Sequence, residues 1–423
     1  MCLTFVVAFV LLVLTEQNVL AKINVYSQTT TTPIFVTFDS GIPTLNISEN
    51  PPSFVNEIEF VWGASTSHVS AWRKANPNTK LSYYMPYSRA PAASLGFDLT
   101  FWKTHHPDWI LYKCDQKTVA FWDGEHGNTG SVPLDFTNPN VIDWQVRNQS
   151  VHAANLGYDM MAFDNYGGGA RAGANPGQAC GVFDLEGNWQ YKFGQNSSTF
   201  NEALSRPKII ESSVIWIESI HERMKTLTPG LGIIPNLSVD NSGWVHTENA
   251  NRVLNSITGA LSERGFSGWG SQRVLESELL DEFYWMKMLA SSNKTYYSIN
   301  ELAKENFHEE WIEFCLGSFY VGYTNGSSIW IGGIQSYGSW SYQSQYGVAK
   351  LGTPTSERYN EETILRRNYT NGIVILNPTQ NQTYTFMVDS NYRTLSNQTI
   401  TKGSTLTLKP QNAKILLCLS KLR

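Results

Sequence analysis

The sequence predicts a (β/α)8 barrel followed by a small antiparallel β-sandwich. Three observations predict it. Eight short apolar runs recur between residues 33 and 334. Stretches with helical spacing of apolar residues lie between them. After about residue 355 the helical period stops, and β-rich runs alternate with Asn, Gly, Pro and Ser turns. Continuous apolar strands separated by helices indicate a parallel sheet covered on its outer face. The expected organisation is a leader over residues 1–21, a barrel over 22–355 and a sandwich over 356–423.

The expected strands are PIFVTFD (Pro33–Asp39), EIEFVWGA (Glu57–Ala64), LSYYMPYS (Leu81–Ser88) and YDMMAFDN (Tyr158–Asn165). They continue with GLGIIPNLS (Gly230–Ser238), ITGALSERG (Ile257–Gly265), KTYYSINE (Lys294–Glu301) and SSIWIGGI (Ser327–Ile334). Four helices are clear from the pattern. The first opens on Asn138-Pro139, a cap followed by a favourable first residue, and stops at Gly157. The others cover Pro207–Leu227, Ser271–Ala290 and Glu305–Gly322. TLTLKP and AKILLCL read as strands of the sandwich, whose simplest role is structural.

Composition narrows the function classes. The chain has 423 residues, a formal charge of −5 and 16% charged residues, with no basic cluster. A nucleic-acid partner is disfavoured. The chain contains 14 Trp, 20 Tyr and 20 Phe, which suit either large cores or faces that stack on sugar rings. The apolar run Leu3–Leu14 is short for a membrane span. With Val19-Leu20-Ala21 before Lys22, it reads as a secretory signal. No other stretch is long and apolar enough to span, so no membrane association is expected after cleavage.

Asn-X-Ser/Thr sequons at Asn46, Asn148, Asn196, Asn236, Asn293, Asn325, Asn368, Asn381 and Asn397 fit an exported glycoprotein. Asn236 is the exception, because it ends a strand at the expected site. Cys114 and Cys180 lie in loop-like segments and are candidates for a disulfide. Cys315 and Cys418 are expected as buried thiols. No CxxC or HExxH spacing occurs, so neither a metal nor another cofactor is expected.

Chemistry in such a barrel sits at the C-terminal ends of the strands. Those ends carry Asp39, Arg89, Asp164 with Asn165, Asn236, Glu263 with Arg264, Glu301 and Gln335. Polar turn residues explain any one of these ends. Convergence on one face explains them together as a polar ligand site. Asp164 and Glu263 supply the two carboxyl groups that glycoside hydrolysis needs. Arg264 or Arg89 is expected to hold one of them ionised, and apolar walls to hold the other protonated. No GxSxG elbow, P-loop or GxGxxG is present, and Gly167-Gly168-Gly169 lacks the Lys of a phosphate cradle.

Three segments carry a family resemblance: HPDWILYKCDQK (His106–Lys117), PLDFTNPNVIDW (Pro133–Trp144) and LGYDMMAFDNYGG (Leu156–Gly168). They resemble glycoside hydrolases of the α-galactosidase-like superfamily, including hypothetical glycosyl hydrolase families and the endo-α-1,4-polygalactosaminidase family. GALSERGF resembles a second acidic motif, and NGIVILNPT the start of a C-terminal β-domain. The resemblance implies a glycosidase acting on α-linked poly- or oligosaccharides with retention. It implies Asp164 as nucleophile and Glu263 as acid/base. Asp135 matches the Asp of an L-D-x-x-N-P motif, for substrate contact or for bracing the turn. Chitinase-type barrels carry D-x-x-D-x-D-x-E on the fourth strand, and YDMMAFDNYG lacks that final Glu. The alternative from a different class is a non-catalytic, lectin-like barrel.

Overall fold

The computed structural model describes residues 31–91, 96–122, 130–168, 178–193, 199–240, 242–270 and 272–419. The leader expected over residues 1–21, and the sequon at Asn196, lie outside the described residues. Eight parallel strands form one sheet: Ile34–Thr37, Ile58–Trp62, Lys80–Pro86, Met160–Asp164, Gly232–Pro235, Gly259–Ser262, Thr295–Leu302 and Ser327–Gly333. Counted as first to eighth, they pair in the order fifth, fourth, third, second, first, eighth, seventh, sixth. A parallel bridge between Asn236 and Leu261 closes the remaining seam, where Leu237 N–H donates to the Leu261 carbonyl at 2.7 Å. The expected barrel is therefore present.

Strand alternation sorts the side chains into two layers. Phe60, Met160, Ile234, Leu261, Tyr297 and Trp330 pack inside the barrel. Their chain neighbours Val61, Met161, Ile233, Ala260, Tyr296 and Ile329 belong to the larger core under the helices. Fully burying one such side chain contributes about 1.5–3 kcal/mol. The two layers together hold the strand ends in place.

The helices follow their caps more closely than their apolar patterns. Asn138 accepts from Asn140 N–H and starts helix Pro139–Gln145. A wider π-turn at Val146–Ser150 joins it to Val151–Asn155, and Gly157 at φ 84° ends the run. The second expected helix runs over Glu202–Leu227, so Pro207 lies inside it and not at its start. Asn201 caps that helix by accepting from Leu204 N–H. Pro207 removes one early backbone bond. The buried stripe Ile209, Trp216, Ile217 and Ile220 outweighs the loss. The third helix starts at Glu276, where the Glu278 carboxylate accepts from Leu275 N–H at 2.9 Å. The fourth spans Glu309–Gly322. No helix among the described residues is long and apolar enough to cross a membrane.

A small antiparallel sheet, Tyr112–Lys113 with Ala179–Phe183 and Trp189–Tyr191, is inserted after the third and fourth barrel strands. Cys114 and Cys180 are bonded across it, with Cα atoms 5.0 Å apart and a sequence separation of 66. Cys315 is a buried free thiol, whereas the free thiol of Cys418 is only partly covered. Closing a loop of this length restrains the unfolded chain by about 4 kcal/mol in the chain-entropy account. The double variant Cys114→Ser/Cys180→Ser should therefore melt several degrees lower by calorimetry. An unchanged midpoint would show that the inserted sheet stands without the bond.

Beyond the barrel, Tyr359–Glu361, Ile364–Tyr369, Gly372–Asn377, Asn412–Cys418, Tyr392–Arg393 and Thr399–Ile400 form an antiparallel sheet. A second pair, Tyr384–Met387 with Thr405–Leu408, covers one face over Ile373, Ile375 and Leu416. The other face presents Val374, Ala413 and Ile415 to helix Glu309–Gly322. A Cβ on Gly317 would lie 2.4 Å from Ala413 Cβ, so glycine permits this close approach. The arrangement fits the expected sandwich and fixes the last helices of the barrel.

Candidate active site

Counting by two along each strand from its interior residues leads to the barrel mouth. Tyr84 belongs to the inward series of the third strand, and Asp164 follows Met160 and Ala162 on the fourth. Asn236 follows Ile234, Glu263 follows Leu261, and Glu301 follows Tyr297 and Ile299. These positions converge around the seam between the fifth and sixth strands.

Four donors hold Asp164. Its Oδ1 accepts from Asn165 backbone N–H at 2.7 Å and from the Asn236 amide at 2.8 Å. Its Oδ2 accepts from the Tyr84 hydroxyl at 2.5 Å and from the Asn165 side-chain amide at 3.1 Å. Asn165 reaches back because its φ is 55°, a left-handed conformation that Asn tolerates. The same Asn236 Nδ2 donates to Glu263 Oε2 at 2.9 Å, while Asn236 Oδ1 accepts from Glu263 backbone N–H at 3.3 Å. One amide nitrogen thus joins both carboxyl groups. The oxygens it joins can be no further apart than two hydrogen bonds laid end to end. On the other side, the Tyr337 hydroxyl lies 3.5 Å from Glu263 Oε1 and also engages Glu301.

The surroundings favour the protonated form of two of these acids. Burial, and then the Asp164 charge, raise the Glu263 carboxyl to about 7, against the opposing Asn236 hydrogen bond. Burial also raises Glu301. Burial first, and then nearby carboxylates, raise the hydroxyls of Tyr84 and Tyr337, which stay protonated donors at neutral pH.

The Asn236 amide therefore has a prior engagement with both carboxyl groups. The sequon Asn236-Leu237-Ser238 should carry no glycan when the chain is exported from a eukaryotic host, whereas exposed Asn46 and Asn397 are free to accept one. Glycopeptide mapping checks this. A glycan on Asn236 would contradict the geometry.

The structure brings together Asp164, Asn165, Asn236, Glu263 and Glu301. It places Asp39, Asp135 and Arg264 elsewhere. Arg264 is one residue out of the inward phase and turns behind the barrel, where Nη2 pairs with Glu278 at 2.6 Å. The counter-charge expected of Arg264 therefore belongs to Glu278, which corrects its assignment to the site. Asp39 is fully buried and accepts from Ser65 N–H at 2.6 Å and the Trp72 indole at 2.8 Å, so bracing replaces the expected substrate contact. Asp135 accepts twice from Thr137 and pairs with Lys192 at 3.0 Å, which suits the bracing reading of its motif. Arg89 is buried with its guanidinium 5.4 Å from the Trp122 ring centre, and its charge reaches Tyr84.

Sequence reasoning did not single out Tyr84 or Tyr337. The alternation of LSYYMPYS points Tyr84 inward, so the period-two count that marks Asp164 also marks it. Tyr337 follows a short turn, Ile334–Ser336, and no periodic signal marks it.

A cavity of about 580 Å³ lies at the opposite, N-terminal end of the barrel, lined by Phe283, Lys287, Asn293, Asn325 and Arg358 among others. Among the described residues that line it, Glu357 is the single carboxylate.

No protein-family model matches this chain, and neither does any curated protein. Among solved structures it is similar to a maltogenic α-amylase from Thermotoga neapolitana, at 10% identity over 93% of this chain and 99% of that one, with a TM-score of 0.49. An Anoxybacillus α-amylase matches at 9% identity over 94% and 100% of the two chains, with a TM-score of 0.48. An α-galactosidase from Lactobacillus brevis matches at 9% identity over 92% and 55%, with a TM-score of 0.41. At such identities the chemistry of the site has to be read from this chain's own side chains.

Proposed function

We propose that this chain is a secreted glycoside hydrolase that cleaves glycosidic bonds with retention of anomeric configuration. Asp164 is the nucleophile and Glu263 the acid/base. The observation that carries the reading is the single Asn236 amide bonded to both carboxyl groups. A gap of at most two hydrogen bonds fits the roughly 5–5.5 Å of retaining pairs. It falls short of the roughly 6.5–9.5 Å that leaves room for water in inverting ones.

The environments suit the two roles. Asp164 is oriented by donors on both oxygens, as a group that must attack along one line requires. Glu263, raised to about 7, still holds a proton near neutrality. In the first step it gives that proton to the glycosidic oxygen while Asp164 bonds to the anomeric carbon, and the alcohol departs. The glycosylated Asp164 is neutral. That removes the charge that helps raise Glu263, which now accepts a proton from water as the water attacks the anomeric carbon. Asp164 leaves as a carboxylate, and the cycle closes.

The choice of an α-linked poly- or oligosaccharide rests on the motif resemblance alone. Incubating the purified protein with a panel of α- and β-linked oligosaccharides tests it. Proton NMR of the first-formed sugar should show the substrate's own anomer. The opposite anomer would overturn retention, and no cleavage of any panel member would favour a binding role.

A further inference from the structure

Phe38 follows the first barrel strand, where alternation would turn its ring outward with Ile34 and Val36. It does not follow that phase. Its φ is 54°, and its ring packs against the interior cluster instead. A bulky aromatic side chain rarely adopts this left-handed conformation, and neighbouring structure has to impose it.

The neighbours that impose it are identifiable. Phe38 N–H donates to the Trp62 carbonyl at 2.6 Å. The next residue, Asp39, is clamped by Ser65 N–H and the Trp72 indole, and its Oδ2 lies 3.3 Å from His68 Nδ1. Two residues on, Gly41 N–H donates to the Gly338 carbonyl at 2.9 Å. Gly63 leaves the space, since a Cβ there would lie 2.5 Å from the Phe38 ring. The ring so placed stands edge-on to Tyr84, with centres 5.2 Å apart at 68°. It also stands edge-on to Tyr337, with centres 6.1 Å apart at 67°. These are the two tyrosines whose hydroxyls reach Asp164 and Glu263.

We propose that Phe38 is a positioning residue: its strained backbone wedges the ring between Tyr84 and Tyr337 and so sets the orientation of the Asp164 and Glu263 carboxyl groups. The inference rests on the reading of those two as the reacting pair. It also gives the buried Asp39 a purpose, as the anchor that keeps the strained residue in place.

The test compares Phe38→Asn and Phe38→Tyr with the wild type in the full chain. Asn adopts positive φ with less strain but lacks the ring, whereas Tyr keeps the ring and the strain. Phe38→Asn should stay folded, with relieved strain offsetting lost ring contacts in its melting midpoint. Its kcat should fall 10- to 100-fold with KM changed less than threefold, because binding is not what the wedge supplies. Its basic limb in the pH–rate profile should move to lower pH, as water reaches Glu263. Phe38→Tyr should keep kcat within threefold and the limb in place.

A second readout needs no substrate. The Glu263 carboxyl band, identified in infrared difference spectra against Glu263→Gln, should titrate at lower pH in Phe38→Asn than in the wild type. A folded Phe38→Asn with wild-type kcat and unmoved titration would overturn the inference. Equal losses in Phe38→Tyr would overturn the role of the ring. If instead Asp164→Asn leaves turnover intact, the reading of the pair fails and not the wedge alone.

Discussion

Asp164→Asn should lower turnover by about 10⁴-fold or more while leaving the fold in place, as removal of a reacting group does in other hydrolases. The amide is nearly the same size and still accepts through its oxygen. The loss should therefore be chemical, since an amide cannot form the glycosyl ester. Asp159, one residue before the same strand, supplies the control. It pairs with Arg73 at 2.6 Å, with Leu81 N–H donating to its Oδ2 at 2.8 Å. Asp159→Asn should weaken stability and leave kcat within a few-fold. Circular dichroism and initial rates separate the two outcomes. If both variants lost activity equally, Asp164 would have no special place.

Glu263→Gln should show the second largest effect, and the effect should depend on the leaving group. Glycosides with poorly acidic leaving groups need the proton and should lose several orders of magnitude in kcat/KM. Activated aryl glycosides need little protonation and should still form the covalent intermediate. The wild-type pH profile carries the same information. Burial and the Asp164 charge raise Glu263 to about 7, so the acid form dominates below that pH. The rate should fall as pH rises through this value, and that limb should vanish in Glu263→Gln with activated substrates. A limb that persists in the variant would assign the titration to another group.

Much of this site was legible in the sequence because a period of two is a strong constraint. Asp164 and Glu263 each close an apolar run, and the structure turns both inward. Arg264 shows the same rule from the other side. Adjacent to Glu263, it must face the helices, and there it meets Glu278. Read strictly, alternation excludes it from the mouth. Phe38 and Asp39 were not legible, because alternation assumes extended backbone and the φ of 54° at Phe38 breaks it. Pro207 misled as a helix start because the cap lies earlier, at Asn201, where a side-chain acceptor meets a free N–H. Asn236 was assigned to substrate. Its role in joining the two carboxyls depends on the fifth and sixth strands meeting at the seam, a pairing between residues distant in sequence.

Asp164 is expected to form a covalent bond with the sugar. A 2-deoxy-2-fluoro glycoside of whichever sugar the panel identifies, with an activated leaving group, would slow both steps and trap that intermediate. Mass spectrometry of the treated protein should show one added fluoroglycosyl group, mapped by peptide fragmentation to Asp164 and absent from Asp164→Asn. An enzyme that turns over its natural substrate yet gives no adduct, or gives one on Glu263 or Glu301, would contradict the account.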